Sequence, residues 1–322
     1  MFNYVIKNFY RFLLSCLSFY YQNDIKKYKT ISSIAKIKIK IYLLKNAQIR
    51  NVTKTHAIFN EKVLKLLKHR KLISFLRFSF IQQMFFVHNR FFIYKELKEL
   101  QRSKMYWPLY KKLIVEEDAG DPIRYFLYPK SSGNRINHVY HLSILQKFLK
   151  IDLKKIGHVF EFGGGYGCMA SIFFNLNNKI NYKIYDTFYT NLLQYYYLKI
   201  LNFDPILDYK SNHSLLLMNN INQLKKFNNE KINNLLFIAN WSLSEVSLEF
   251  REKFLKTILK SNYIFISFQE VFEDINNIEY FYNLKKKLKY KYKVQIIKNK
   301  FYKGHFFSRH NHYFFLAKIN KF

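Results

Sequence analysis

Val159-Phe160-Glu161-Phe162-Gly163-Gly164-Gly165-Tyr166-Gly167 decides the fold. A short apolar run leads into a carboxylate, and glycines follow at alternate positions, Gly163, Gly165 and Gly167. Buried parallel strands read as continuous apolar runs. Glycines directly after such a run permit positive φ and close approach of backbone to a ligand. The segment from Cys168 to Leu176 then reads as a helix, so the whole is strand, tight turn and helix start.

Two ligand classes suit such a turn. The dinucleotide fingerprint G-x-G-x-x-G sets a pyrophosphate on the helix N-terminus. Cys168 stands where its third glycine belongs, and Glu161 would repel a phosphate. A carboxylate two positions before G-x-G-x-G resembles motif I of the S-adenosylmethionine-dependent methyltransferases. That resemblance implies S-adenosyl-L-methionine as cofactor, cradled by Glu161, Gly163, Gly164, Gly165 and Gly167. The cofactor carries a sulfonium and an ammonium and no phosphate, so an acidic turn fits it.

Working outward, Asn181–Asp186 is a second strand-like run ending in a carboxylate, and Asp186 lies 19 residues beyond Gly167. An acidic residue at the end of the second strand accepts hydrogen bonds from ribose hydroxyls. The competing role is a helix N-cap. A third run, Asn234–Asn240, leads into Trp241-Ser242-Leu243-Ser244-Glu245. Ser242 and Glu245 have the spacing of a capping box, which predicts a helix start. Asn240 stands where ligands meet the carboxyl edge of an open α/β sheet.

The E-F-G-G-G-Y-G motif, the Asp186 strand with its Tyr-rich helix (Leu192 to Leu198) and the Ser-Leu-Ser-Glu element together resemble the sugar O-methyltransferases of bacterial surface-polysaccharide clusters. The likeness covers roughly residues 125 to 320. It implies a Rossmann-like methyltransferase fold: a mostly parallel seven-stranded sheet flanked by helices. It also implies methylation of a hydroxyl on a surface polysaccharide, nucleotide-sugar or lipid-linked glycan, in the cytoplasm or at the inner membrane face. A sugar hydroxyl needs a base as its proton leaves. His305, His310 and His312, in the segment between the last two strands, are candidates, with Glu245 as the carboxylate alternative.

The 322 residues carry a net charge of +33, unevenly spread. Residues 1–100 hold 20 Lys and Arg against 4 Asp and Glu, whereas residues 151–250 hold 9 against 8. A basic arm suits an anionic membrane surface, a phosphorylated carrier or RNA. AT-rich coding would raise lysine without any binding surface. An RNA methyltransferase is the alternative function, although no N-P-P-Y-like tetrad follows Asn240. Two cysteines predict no disulfide framework, and no histidine spacing predicts a metal site. Phe12 to Asn23 is uncharged but too short to span a bilayer. With Lys7 and Arg11 beside Leu13, Leu14 and Leu17, it reads as a surface or packed helix.

Residues 1–120 are expected to form a basic, mainly helical extension and residues 121–322 the methyltransferase domain, divided near the Glu116–Pro122 acidic run. Within the extension, the Ile/Lys alternation from Ile31 to Leu44 favours an edge strand, and Glu61 to Leu76 a helix. Tyr128 to Asn134 reads as a loop, followed by a helix from Ile136 to Leu149. On that helix Arg135, His138 and His141 form either a polar solvent stripe or one side of the cofactor pocket. Removal of residues 1–110 is expected to spare cofactor binding.

Overall fold

The computed structural model describes residues 9, 13, 21–45, 54–85, 91–301 and 310–320. These fall into two compact units. One takes the described residues up to Ser143 together with Gly165–Asn175 and Leu192–Asp204; the other takes Ile144–Gly164, Leu176–Asn191 and the described residues from Pro205 onward.

The first unit is helical. It holds α1 (Lys29–Lys45), α2 (Lys54–Lys68), a 3-10 turn (Leu72–Arg77), α3 (Ser79–Met84), α4 (Phe91–Arg102), α5 (Trp107–Leu113) and the first part of α6 (Gly133–Leu149). The edge strand expected over Ile31–Leu44 is α1 instead. Ser32, Ala35 and Ile39 are its buried positions, spaced three and four apart, and Tyr28 of the 3-10 turn just before it extends the same face. The period-2 alternation of Ile and Lys is overridden because this stripe finds partners: Ser32 Oγ and Tyr196 OH lie 2.6 Å apart within the unit.

The helix expected to Leu76 ends at Lys68, and Leu72, Phe75 and Leu76 bury themselves from the separate 3-10 turn. The acidic run is firmly tied. Arg77 pairs with Asp121 at 3.0 Å, and Arg124 bonds Asp118 and donates to Glu116 O at 2.9 Å. Tyr128–Ser132, expected as loop, pairs antiparallel with Arg124–Tyr125 in a short hairpin. Of the Phe12–Asn23 expectation, only residues 13 and 21–23 are among the described residues.

The second unit holds the large sheet: β1 (His158–Phe162), β2 (Asn181–Tyr185), β3 (Leu215–Met218), β4 (Leu235–Asn240), β5 (Tyr263–Gln269), β6 (Tyr292–Lys298) and β7 (His312–Ile319). Their spatial order is β3-β2-β1-β4-β5-β7-β6. All neighbours are parallel except β7, which runs antiparallel to both β5 and β6. This is the seven-stranded, mostly parallel Rossmann-like arrangement that the family resemblance implies. The strand order reverses between β1 and β4, and ligands of open α/β sheets bind at that switch point.

Helix α7 (Cys168–Leu176) follows the glycine turn and α8 (Phe188–Ile200) follows β2. The pleat puts Phe160, Phe162, Phe237, Ala239, Ile266 and Phe268 on one face. There they pack with Leu224 and Phe227 of α9 (Ile221–Asn229), Ile258 of α11 (Leu255–Lys260), and Phe281, Leu284 and Leu288 of α12 (Asn277–Leu288). Between α9 and α11 lies the short α10 (Leu248–Glu252), capped by Ser247, whose side chain accepts from Phe250 N. This apolar layer fixes the level at which the parallel strands stop, and therefore where their terminal polar residues stand.

Candidate functional site

Parallel β1, β2, β4 and β5 end at one edge, in Phe162, Tyr185, Asn240 and Gln269. Antiparallel β7 begins there, with His312 opposite Gln269. Within the sheet unit, therefore, Glu161, Gly163, Gly164, Asp186, Asn240, Glu245 and His312 all belong to the carboxyl edge.

Glu161 is 2% exposed. Its side chain leaves β1 on the face opposite Phe160 and Phe162, where Tyr182 OH donates to Oε2 at 2.8 Å. Burial pushes its carboxyl up to about 8; the Tyr182 bond opposes this, and the nearby Asp186 charge adds to it. Among the described residues no cation pairs with Glu161. The Asp186 charge thus acts on a buried carboxyl at the sheet edge.

Gly163 donates to Tyr185 O at 2.8 Å and has φ +71°. A Cβ there would land on the Ser242 side chain, closer than real carbon atoms approach. Ser242 Oγ donates to Phe162 O. This corrects the capping-box expectation. Ser242 lies inside a 3-10 turn, Ser242–Glu245, rather than at the N-cap of an α-helix. Its hydroxyl closes the glycine turn instead, because Phe162 O ends β1 beside it.

Asp186 N continues the ladder, donating to Met218 O at 2.9 Å, and the half-buried side chain accepts from Thr187 N at 2.8 Å. Thr187 Oγ1, not Asp186, accepts from Thr190 N at the start of α8. The capping role that competed for Asp186 is held by its neighbour.

Trp241 has φ +63°, a left-handed conformation that costs energy in a bulky residue and concentrates at functional sites. Its Nε1–H donates to His312 Nδ1 at 2.8 Å. An indole N–H only donates, so Nδ1 must accept, and the neutral ring carries its proton on Nε2. His312 lies on a strand, not in the loop expected for it, and this tautomer makes Nε2 a donor. His310 is exposed just before that strand, and His305 lies outside the described residues.

Glu245 is half-buried. Loss of solvent pushes its carboxyl up to about 7, against a weak Gln269 Nε2 bond at 3.4 Å. Gln269 is itself oriented by Ser244 Oγ, 2.9 Å from its Oε1. Gln269 stands at the strand end expected for it, but its bond to Glu245 and that of Tyr182 to Glu161 are pairings the sequence does not show. Only the register of neighbouring strands reveals them, and no spacing rule encodes it.

The rest of the glycine turn belongs to the helical unit. Gly165 has φ +56°, and a Cβ there would sit 3.2 Å from Phe85 Cδ1. Gln194 Nε2 donates to Gly165 O at 2.9 Å. Tyr166 is buried; its OH accepts from Asn134 Nδ2 at 3.0 Å and donates to Glu116 Oε1 at 3.4 Å, while Glu116 Oε2 accepts from Ser132 N at 2.8 Å. Phe85, which sits in the segment expected to be dispensable for cofactor binding, lies beside Gly165.

Arg135, His138 and His141 are inside this unit rather than on a solvent stripe. Arg135 Nε donates to Leu113 O at 2.8 Å and Nη1 to Ser171 Oγ at 2.9 Å. Burial, with His141 and Arg135 nearby, pushes His138 down to about 3. These are packing residues of α6.

Solved structures similar to the chain include the methyltransferase domain of bacterial CtHen1, 11% identical, with 55% of this chain and 95% of that chain covered and a TM-score of 0.36. Mitomycin 7-O-methyltransferase MmcR is 8% identical, covering 58% and 57% at a TM-score of 0.36. The precorrin-6y C5,15-methyltransferase of Geobacter metallireducens is 11% identical, covering 57% and 87% at 0.38. No protein-family model and no curated protein matches the chain. At such values the fold rests on the strand order, and the site on its own residues.

Proposed function

We propose that the chain is an S-adenosyl-L-methionine-dependent O-methyltransferase acting on a sugar hydroxyl of a surface polysaccharide, nucleotide-sugar or lipid-linked glycan. The observation that carries the cofactor reading is Glu161: a buried carboxylate, close to Asp186 and, among the described residues, without a paired cation, beside a turn of positive-φ glycines. A ligand bearing positive charge relieves that arrangement, whereas a pyrophosphate would aggravate it. Glu161 would face the cationic methionine part, Gly163 and Gly164 would line it with backbone, and Asp186 would hold the ribose. Asn240 adds a polar edge beside them.

When bound, the cofactor supplies the electrophilic methyl group. The chain orients the acceptor and receives its proton. Glu245 is the better base than His312. Its carboxyl titrates near 7, where a general base works best, whereas Trp241 holds His312 in the tautomer that donates from Nε2. His312 then serves as a donor to the acceptor, and its ring orientation is set by the indole.

Titration calorimetry of the full chain with S-adenosylmethionine tests the first claim; absence of binding sinks it. A methyl-transfer assay on envelope glycans tests the second. The rate should rise through pH 7 as Glu245 ionises, and Glu245→Gln should remove that limb. An unchanged limb would return the role to a histidine. The net charge of +33 favours one other reading, RNA as acceptor. Tight RNA binding that falls steeply with salt, together with methylation of RNA and not glycan, would select it.

A further inference from the structure

Helix α1 buries one stripe and leaves the opposite one bare. Ile34, Ile37, Ile41 and Leu44 are 58%, 61%, 44% and 85% exposed. At helical spacing these four aliphatic side chains fall within roughly a quarter of the circumference. Exposed Lys38 borders the arc on one side, and exposed Lys29 and Lys40 border it on the other. The buried residues Ser32, Ala35 and Ile39 lie across the axis, so the aliphatic arc faces away from the unit's own core. No acidic residue occurs anywhere in Lys29–Lys45.

Single exposed aliphatic residues need no explanation, but a contiguous stripe does. Lysines on both borders of an aliphatic stripe match a surface that is apolar in its middle and anionic at its rim. Acyl chains beneath anionic headgroups have that layering; a folded protein partner would need acidic groups on two sides of an apolar ridge. Lysine stems also extend along the apolar phase while their ammonium groups reach the headgroups.

We infer that the outward face of α1 is a membrane-docking surface that lies in the interface of an anionic bilayer, with Ile34, Ile37, Ile41 and Leu44 at acyl depth and Lys29, Lys38 and Lys40 at the phosphates. Among the described residues no helix is long and apolar enough to cross a membrane, so this contact is peripheral. The surface is independent of the cofactor, and its test needs no methyl transfer.

Full-length protein is sedimented with vesicles of phosphatidylcholine containing about one-third phosphatidylglycerol, and with phosphatidylcholine alone. Pelleting is expected with the anionic vesicles only, and it should weaken as salt rises. A chain carrying Ile34→Asp, Ile37→Asp and Ile41→Asp should lose about tenfold or more in partition coefficient, with its melting temperature and calorimetric cofactor binding unchanged. Lys38→Glu with Lys40→Glu should lose binding and much of its salt dependence. Three results overturn the inference: equal pelleting with neutral vesicles, a triple variant that pellets like the parent, and a parent dimer that the triple variant converts to monomer. The last would make the face a contact between copies of the chain.

Discussion

The two halves of the glycine turn are held by different means. Glu161 to Gly164 belong to the sheet unit, where strand neighbours fix them: Tyr185 O receives the Gly163 amide, and Ser242 bonds Phe162 O. Gly165 to Gly167 belong to the helical unit, where side chains fix them: Phe85 against Gly165, Gln194 on its carbonyl, and Glu116 with Asn134 on the Tyr166 hydroxyl. The first half is held at its backbone, by the Tyr185 carbonyl on Gly163 N and by one serine hydroxyl on Phe162 O. The second depends on residues particular to this chain. The contrast predicts that damage to the first half is steric and severe, and that damage to the second is graded.

The largest effect belongs to Gly163→Ala. Left-handed φ costs roughly 1–2 kcal/mol for a residue with a Cβ, and overpacking against Ser242 adds about 1–3 kcal/mol. Urea unfolding should show the sum. Adding Ser242→Gly removes the colliding side chain, so the packing part should return while the φ cost stays. If the second substitution restores nothing, the turn is not closed by Ser242. In the other half, Glu116→Ala leaves Ser132 N and the Tyr166 hydroxyl without their buried acceptor, at about 1–3 kcal/mol. Hydrogen exchange should quicken over Tyr166 and Gly167 and stay unchanged over β1. Equal quickening in both would erase the distinction between the halves.

This division also explains how much the sequence could tell. The β1 run, its glycines, the strand-like run ending at Asp186 and the run ending at Asn240 are local patterns, and the seven-stranded sheet is implied by the family resemblance they carry. What eluded the sequence depends on partners distant along the chain. Ile31–Leu44 alternates like a strand, yet it is helical because Ser32, Ala35 and Ile39 find a core to enter. Ser242 and Glu245 have capping-box spacing, yet the serine bonds a carbonyl 80 residues away. His312 reads as a loop residue with a basic nitrogen. Only the antiparallel pairing of β7 brings it beside Trp241, 71 positions earlier, whose indole decides its tautomer. Propensity and spacing are silent on such contacts, because a strand's neighbour is set by topology.

The smallest expected effect separates Glu161 from every residue that merely packs the turn. In the ligand-free chain its carboxyl titrates near 8, because burial and the Asp186 charge outweigh the Tyr182 hydrogen bond. At pH 7 most molecules carry the proton there. A cationic ligand favours the ionised form, so binding must release that proton. Cofactor affinity should therefore rise with pH, by up to about tenfold per unit below pH 8, and level off above it. The effect on stability has the opposite direction. A carboxyl whose folded pKa exceeds its unfolded value holds more protons when folded, so the ligand-free chain loses this contribution as pH rises from the ordinary carboxylate range through 8. Glu161→Gln should flatten the affinity profile, bind more weakly than the parent above pH 8, and unfold less readily than the parent there. Calorimetry in buffers of different ionisation heat counts the released proton directly. If the parent releases none at pH 7, or the glutamine variant releases as many, Glu161 does not face the cation, and the first half of the turn has only a structural role.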